Sequence, residues 1–128
     1  MKYSTTFHNY FLNTDHAGCV ESPDVIRLYH SSVNPFDQFC FYIVVTNGII
    51  TCANFESGTT PALIAAGEYT CRWLEGKSIF EAVSLQSSQI LQELNLDSRY
   101  VHIAEVMVWL IQQLKDRDEF HGKGSQMV

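Results

Sequence analysis

Basic residues are scarce in this chain. Lysine and arginine together number 8 among 128 residues, against 14 aspartates and glutamates, and the formal net charge at pH 7 is -6. Affinity for nucleic acids comes largely from lysine and arginine contacts with phosphates, so this balance argues against nucleic acid as a partner.

Long apolar runs are also absent. The first ten residues lack the apolar core of a signal peptide, and no later run is long enough to span a bilayer. We therefore expect a cytoplasmic protein with no membrane partner. With 46% hydrophobic and 17% charged residues, the 128-residue chain has the composition of one compact domain, which we expect to span residues 1–117. Residues 118–128 are charged and show no periodicity, which predicts a flexible tail.

Cysteine pairs at metal-binding spacing are missing as well. The four cysteines are Cys19, Cys40, Cys52 and Cys71, and no two of them form a CxxC motif. In a reducing compartment all four are expected to be free thiols. Cys40 and Cys52 fall in predicted strands and Cys71 in a predicted helix, where a thiol usually packs as a small apolar group. Cys19, beside a glycine in a predicted loop, is the one expected to be accessible to solvent.

The clearest structural signal is a β-hairpin followed by a helix. Residues 39–45 are rich in aromatic and β-branched side chains, Asn47-Gly48 is typical of a two-residue turn, and residues 49–55 predict the returning strand. Thr60 is then a candidate N-cap, Pro61 suits the first helical position, and Gly76 marks the end of the helix. The end of the strand and the start of the helix therefore meet near Thr60.

The remaining segments complete an α+β fold. Aromatic residues at helical spacing predict a first helix that ends near Asn13, and residues 25–29 predict a further strand. Ser78 and Glu81 fit a capping box, residues 87–94 a short helix, and the apolar residues after Ser98 a buried last helix. We therefore predict a three-stranded antiparallel sheet with helices packed on one face.

Several of these segments resemble one known family. The opening Met1-Lys2-Tyr3-Ser4, the stretch Leu12-Asn13-Thr14-Asp15-His16-Ala17-Gly18 and the later Trp73-Leu74-Glu75-Gly76-Lys77-Ser78 are similar to segments of the IscU/NifU-type scaffolds for iron–sulfur cluster assembly. The resemblance extends through Asn47-Gly48-Ile49-Ile50, Ala53-Asn54-Phe55, Ala62-Leu63-Ile64-Ala65, Ile90-Leu91-Gln92-Glu93-Leu94 and His102. It implies an antiparallel sheet with helices on one side.

The resemblance also implies a ligand set that this sequence lacks. The family holds a cluster or zinc ion with three cysteines, and the matching positions here are Pro35, Thr60 and Ile103. The family's aspartate and histidine match Asp37 and His102. Because iron–sulfur clusters are held mainly by thiolates, we expect no cluster in the usual three-cysteine site. The chaperone-binding motif of the family corresponds to Leu96-Asp97-Ser98-Arg99-Tyr100, which has no proline to impose an extended conformation.

Three hypotheses of function follow. The first is a non-catalytic protein of scaffold fold that binds or modulates partners, among them the cysteine desulfurase machinery. The second keeps metal chemistry, with zinc or iron bound by Asp37 and His102, and Glu105 one helical turn further on. The third is sulfur relay through Cys19. A conventional enzyme is not expected, since the sequence contains no nucleophile elbow, phosphate-binding glycine loop or HExxH motif.

Overall fold

Three antiparallel strands form a single sheet. In a computed structural model of the chain, residues 3–31, 34 and 37–127 are described, with side chains through Asp116. The strands are β1 (Ile26–His30), β2 (Phe39–Thr46) and β3 (Ile49–Ser57), in the order β1-β2-β3. The predicted three-stranded meander is confirmed, with each strand within two residues of its expected bounds.

The pairing of the strands separates an apolar face from a polar one. Phe41 of β2 lies between Leu28 of β1 and Phe55 of β3, and all three side chains are buried. The next residue, Tyr42, pairs with Arg27 on the opposite face, where its ring lies under the Arg27 guanidinium. Because side chains alternate along a strand, only one face of the sheet needs to be covered by helices.

The β2–β3 turn adopts the backbone that its sequence predicts. Asn47 and Gly48 have φ values of 54° and 78°, the left-handed conformation required at both central positions of a type I′ turn. The register shifts by one residue between Val44 and Val45, close to this turn. The turn and the bulge together fix which side chains of β3 face the core.

Among the described residues, five α-helices cover the apolar face and its ends. They are α1 (Thr5–Leu12), α2 (Pro61–Leu74), α3 (Ile79–Ala82), α4 (Ser87–Leu94) and α5 (Val101–Met127). Ser4 caps α1 by accepting a hydrogen bond from the Phe7 amide, and Ser78 and Glu81 form the expected capping box at α3. The predicted α+β class is confirmed, and no described helix is long and apolar enough to cross a membrane.

A glycine allows α2 to approach the sheet closely. A Cβ atom added at Gly67 would lie 2.8 Å from the Phe39 ring and 2.9 Å from the Phe55 ring. These two rings are stacked, with centroids 5.6 Å apart, under the middle of α2. The close contact sets the distance between α2 and the sheet, and therefore the position of the N-terminus of α2 at Thr60.

The last helix differs from the sequence-based expectation in two respects. It continues to Met127, beyond the expected end of the domain at residue 117, because no proline interrupts the segment and each added residue extends the hydrogen-bonded helix. The flexibility of residues 118–128 stays a prediction. The helix is also not buried all round: Val101 is 39% and Trp109 56% exposed, because only the side of α5 that carries Ile103, Met107 and Leu110 faces the core. The domain boundary at residue 117 stays a prediction.

A short segment before β1 lies along the free edge of β3. Ala17 forms a parallel bridge with Phe55, the Gly18 amide donates to the Phe55 carbonyl at 2.8 Å, and the Phe55 amide donates to the His16 carbonyl at 2.9 Å. Gly18 has a φ of 127°, which favours glycine at this point. The segment satisfies backbone groups that an edge strand would otherwise expose and leads directly into Cys19.

Candidate functional site

The junction between β3 and α2 is organised by one side-chain hydrogen bond. Thr60 is the N-cap residue of α2, and its side chain makes no capping bond to the helix amides. Its hydroxyl instead donates to Asp37 Oδ1 at 2.7 Å. Asp37 lies two residues before β2, so this bond joins the start of the central strand to the start of the helix.

A small pocket lies next to this junction. It has a volume of about 80 Å³ and brings His102 of α5 to the same cavity as Asp37. The described residues that line it are His30, Asp37, Leu63, His102, Ile103 and Val106. The pocket thus has two imidazoles and one carboxylate on aliphatic walls, and no thiol among its described lining residues.

The three positions predicted to correspond to family cysteines have different surroundings. Pro35 lies outside the described residues. Thr60 is engaged with Asp37, and Ile103 is only 6% exposed and belongs to the hydrophobic core. The side chain at position 103 therefore contributes apolar packing between α5 and the rest of the domain.

The third proposed metal ligand does not join the other two. Glu105 is exposed on α5 and is not among the described residues that line the pocket. Within the described part of the chain, no group of three or more histidine, cysteine, aspartate or glutamate side chains is arranged to hold a metal ion. A site with Asp37, His102 and Glu105 together is therefore not formed; a site with Asp37 and His102 alone stays a prediction.

His30 is a residue of the pocket that sequence reasoning missed. It is the last residue of β1, opposite Phe39, and its ring makes an edge contact with Trp109 of α5 at a centroid distance of 6.4 Å. In the sequence, His30 follows the predicted strand and precedes turn residues, and no neighbouring residue stands at a metal-binding or catalytic spacing from it. Only the register between β1 and β2 brings it to the pocket.

The cysteines are distributed as the sequence predicts. All four are free; Cys40 and Cys71 are buried, Cys52 is half-buried and Cys19 is exposed. Burial raises the pKa of the Cys40, Cys52 and Cys71 thiols, so these three hold their protons at neutral pH. Cys19 is therefore the accessible thiol of the chain.

The segment predicted to correspond to the chaperone-binding motif forms a compact turn. Residues Ser98–Tyr100 make one turn of 3-10 helix, and the Asp97 carboxylate caps it by accepting from the Arg99 amide at 3.0 Å. Arg99 also donates through its guanidinium to Asp97. The turn leads directly into α5 and fixes the position of His102 in the first turn of that helix.

A second cluster that sequence reasoning missed lies towards the C-terminal end of α2. His16, Glu68, Arg72 and Glu75, here called the His16 cluster, are joined by ion pairs between 2.6 and 2.8 Å long. The spacing of Glu68 and Arg72 by four residues indicates a helical ion pair, but nothing in the sequence connects the pair with His16, 52 residues earlier.

Comparison with known proteins agrees with this fold. The NifU-like N terminal domain family matches residues 2–113. The iron–sulfur cluster assembly scaffold protein IscU of Haemophilus influenzae is 39% identical over 56 residues, which are 44% of this chain and 44% of that protein. The aligned part thus spans less than half the length of that relative.

Two solved structures have the same fold at low sequence identity. A candidate iron–sulfur cluster assembly scaffold protein for the SUF system, from Fervidobacterium islandicum, superposes with a TM-score of 0.57 at 16% identity and covers 82% of this chain and 81% of its own. The N-terminal part of a nitrogen-fixing NifU-like protein from Brucella abortus gives a TM-score of 0.56 at 16% identity, covering 89% and 80%. With the family match over most of its length, the chain belongs to the NifU-like N-terminal domain family.

Proposed function

We propose that this protein takes part in iron–sulfur cluster assembly as a non-catalytic, cytoplasmic member of its family that binds or modulates partners without holding a cluster in a three-cysteine site. The observation that carries the proposal is the bond from Thr60 to Asp37 at 2.7 Å, beside a pocket with no thiol among its described lining residues. Clusters are normally held by thiolates, and the side chains at this junction offer oxygen and nitrogen atoms instead.

Exposed apolar side chains on α5 support a role in partner binding. Trp109 is 56% exposed and contacts the His30 ring, and Val101 is 39% exposed at the start of the same helix. An exposed tryptophan beside a pocket is a common anchor in protein interfaces. The family resemblance suggests a cysteine desulfurase as the partner.

Cluster reconstitution tests the first part of the proposal. We expect the purified protein, incubated anaerobically with ferrous iron, sulfide and a thiol reductant, to retain neither metal nor sulfide in stoichiometric amount after desalting. The triple variant Pro35→Cys, Thr60→Cys and Ile103→Cys supplies the matched control, since it adds three thiolates at the positions that correspond to the family ligands. Stoichiometric iron and sulfide on the unmodified chain would contradict the proposal.

Titration with a purified cysteine desulfurase tests the second part. We expect saturable binding that Trp109→Ala weakens about tenfold or more, because interface tryptophans contribute strongly to affinity. Leu12→Ala removes an apolar side chain that is 71% exposed on α1 and should leave the affinity unchanged. Absence of binding, or equal loss in both variants, would count against this surface.

A second candidate function is metal binding by Asp37 and His102. The observation that favours it is that both side chains line one pocket, together with His30. Zinc and iron accept imidazole and carboxylate ligands. Calorimetric titration of the untagged protein with zinc should then give one site that His102→Ala removes and His8→Ala does not; a response equal in both variants would refute it.

A third candidate is sulfur relay, favoured by the exposure of Cys19. The Cys19 thiolate would attack the outer sulfur of a donor persulfide, form the new sulfur–sulfur bond and release the donor as a thiolate. Transfer of labelled sulfur from a desulfurase persulfide to the wild type but not to Cys19→Ser would support this step. Equal labelling of both proteins would refute it.

A further inference from the structure

A buried carboxylate on α2 is surrounded by three hydrogen-bond donors. The Glu68 side chain is completely buried. Its Oε1 accepts from the His16 amide at 2.9 Å, and its Oε2 lies 2.6 Å from His16 Nδ1 and accepts from Arg72 Nε at 2.8 Å. These donors satisfy both oxygens of the buried carboxylate, and two of them belong to side chains that can carry a positive charge.

The other nitrogen of the same imidazole faces a second carboxylate. His16 Nε2 lies 2.8 Å from Glu75 Oε1, and Glu75 Oε2 accepts from the Ala53 amide of β3 at 3.1 Å. A neutral imidazole has one donor nitrogen, whereas an imidazolium has two. Only the protonated ring can therefore donate to both Glu68 and Glu75.

The cluster attaches one segment of backbone to two elements. Arg72 donates to the Asn13 carbonyl at 2.7 Å, and the His16 backbone bonds to Glu68 on one side and to Phe55 of β3 on the other. Two residues later the Gly18 amide donates to the Phe55 carbonyl. Residues 13–18 are thus held between α2 and the edge of β3. The part of this attachment that depends on the charge of His16 is the pair of contacts from its ring to Glu68 and Glu75.

We propose that His16 is a pH-dependent latch: as an imidazolium it holds residues 13–18 against α2 and β3, and on losing its proton it releases this segment together with Cys19, which follows it. The proposal is independent of whether the protein holds a cluster or which partner it binds. It makes the position of the accessible thiol a function of pH.

The direction of the pH dependence follows from the environment of the ring. Burial lowers the pKa of His16, but the hydrogen bonds to Glu75 and Glu68 and their negative charges outweigh it, so the pKa is raised above its usual value. A raised pKa in the latched state means that the latch is fully stable below the ordinary histidine pKa of about 6.5. As the pH rises from about 6.5 through the pKa that His16 has in the latched state, the latch becomes less stable. The equilibrium constant for opening then increases by up to about tenfold per pH unit.

Three other titratable groups near the His16 cluster have raised pKa values and do not lose their protons at neutral pH. Burial and the hydrogen bond to Glu93 raise the pKa of Tyr10 to about 12, and burial raises the pKa of Cys52 and Cys71. These three therefore stay protonated at neutral pH. The charged and titratable groups on the elements facing the latch are Asp15 on its own segment, Tyr10 on α1, Cys52 and Glu56 on β3, Glu68, Cys71, Arg72 and Glu75 on α2, and Glu93 on α4.

Amide hydrogen exchange followed by NMR tests the latch in the full chain. The reporters are the amides of Gly18, Ala53 and Phe55, whose acceptors are the Phe55 carbonyl, Glu75 and the His16 carbonyl. After correction for intrinsic exchange, their protection in the wild type should fall by up to about tenfold per pH unit above about pH 6.5, parallel to the titration of the His16 ring. His16→Gln should show lower protection that does not vary with pH, whereas His8→Gln, at an exposed position on α1, should behave as the wild type.

Three results would overturn the proposal. The first is reporter protection that is independent of pH in the wild type while the His16 ring titrates. The second is an equal fall in the amides of the β1–β2 ladder, which would mean that His16 stabilises the whole fold rather than this segment. The third is a His16 ring that titrates at or below its usual pKa, and this measurement needs only the wild type even where His16→Gln fails to fold.

Discussion

Thr60 caps α2 with its backbone while its hydroxyl donates to Asp37, 23 residues earlier, at 2.7 Å. The bond ties the segment before β2 to the start of α2, and Asp37 is half-buried beside the pocket. Thr60, which the resemblance predicts to be a ligand position, thus has a structural role in this chain, because its side chain connects two elements that are distant in sequence.

Thr60→Val tests the contribution of this bond to stability. Valine keeps the shape of threonine and removes the donor, so Asp37 loses a hydrogen-bond partner at a partly buried position, and we expect the free energy of unfolding to fall by about 1–2 kcal/mol. Urea unfolding followed by circular dichroism gives the value. Thr60→Ser retains a hydroxyl and should lose less than half as much. Equal losses in both variants would attribute the effect to packing.

The fold was largely predictable because its signals are local. Asn47-Gly48 specifies its turn by itself, Ser78 and Glu81 cap a helix within one turn, and the aromatic and β-branched residues of β2 indicate a strand. The pocket was predictable only through the family resemblance that singled out Asp37 and His102. His30 joins them through strand register, which local sequence does not specify.

The features that escaped prediction depend on tertiary packing. Glu68 looks from the sequence like a charged position on an amphipathic helix, yet it is buried because the segment around His16 folds over it. Trp109 looks like a core residue and is exposed, because the core takes the opposite side of α5. In both positions the neighbouring element, and not the residue type, decides the burial.

Gly67→Ala should destabilise the protein although alanine is the better helix former. Alanine gains about 1 kcal/mol in helix propensity over glycine, but its Cβ would meet the Phe39 ring at 2.8 Å. Overpacking of this kind costs about 1–3 kcal/mol, so we expect a net loss measured by thermal or urea unfolding.

A double mutant separates crowding from other effects at this position. Phe39→Leu makes the ring contact smaller, and Gly67→Ala in that background should cost less than it does in the wild type. Additive losses would mean that the Phe39 ring does not restrict the approach of α2.

Glu68→Gln should be far more destabilising than Asp97→Asn. The Glu68 carboxylate is fully buried between His16 and Arg72. Glutamine at this position would leave two positively charged donors facing a neutral amide. We therefore expect the free energy of unfolding to fall by about 3 kcal/mol or more. The pair of Asp97 and Arg99 is exposed, with 48% and 64% of the side chains accessible, and solvent screens it. Similar losses in the two variants would contradict the inference that burial makes the Glu68 carboxylate more important for stability than the exposed Asp97 carboxylate.

Cys19 should be the first thiol to react under native conditions. Thiol–disulfide exchange requires an accessible thiolate, and Cys19 is exposed, whereas Cys40 and Cys71 are buried and burial raises the pKa of both. Reaction with a chromogenic disulfide at neutral pH should therefore show one fast phase in the wild type and none in Cys19→Ser. The half-buried Cys52, whose pKa is also raised by burial, should react in a later phase, and unfolding in guanidinium should expose all four thiols. A fast phase that survives in Cys19→Ser would show that β3 or α2 opens readily enough to expose a second thiol.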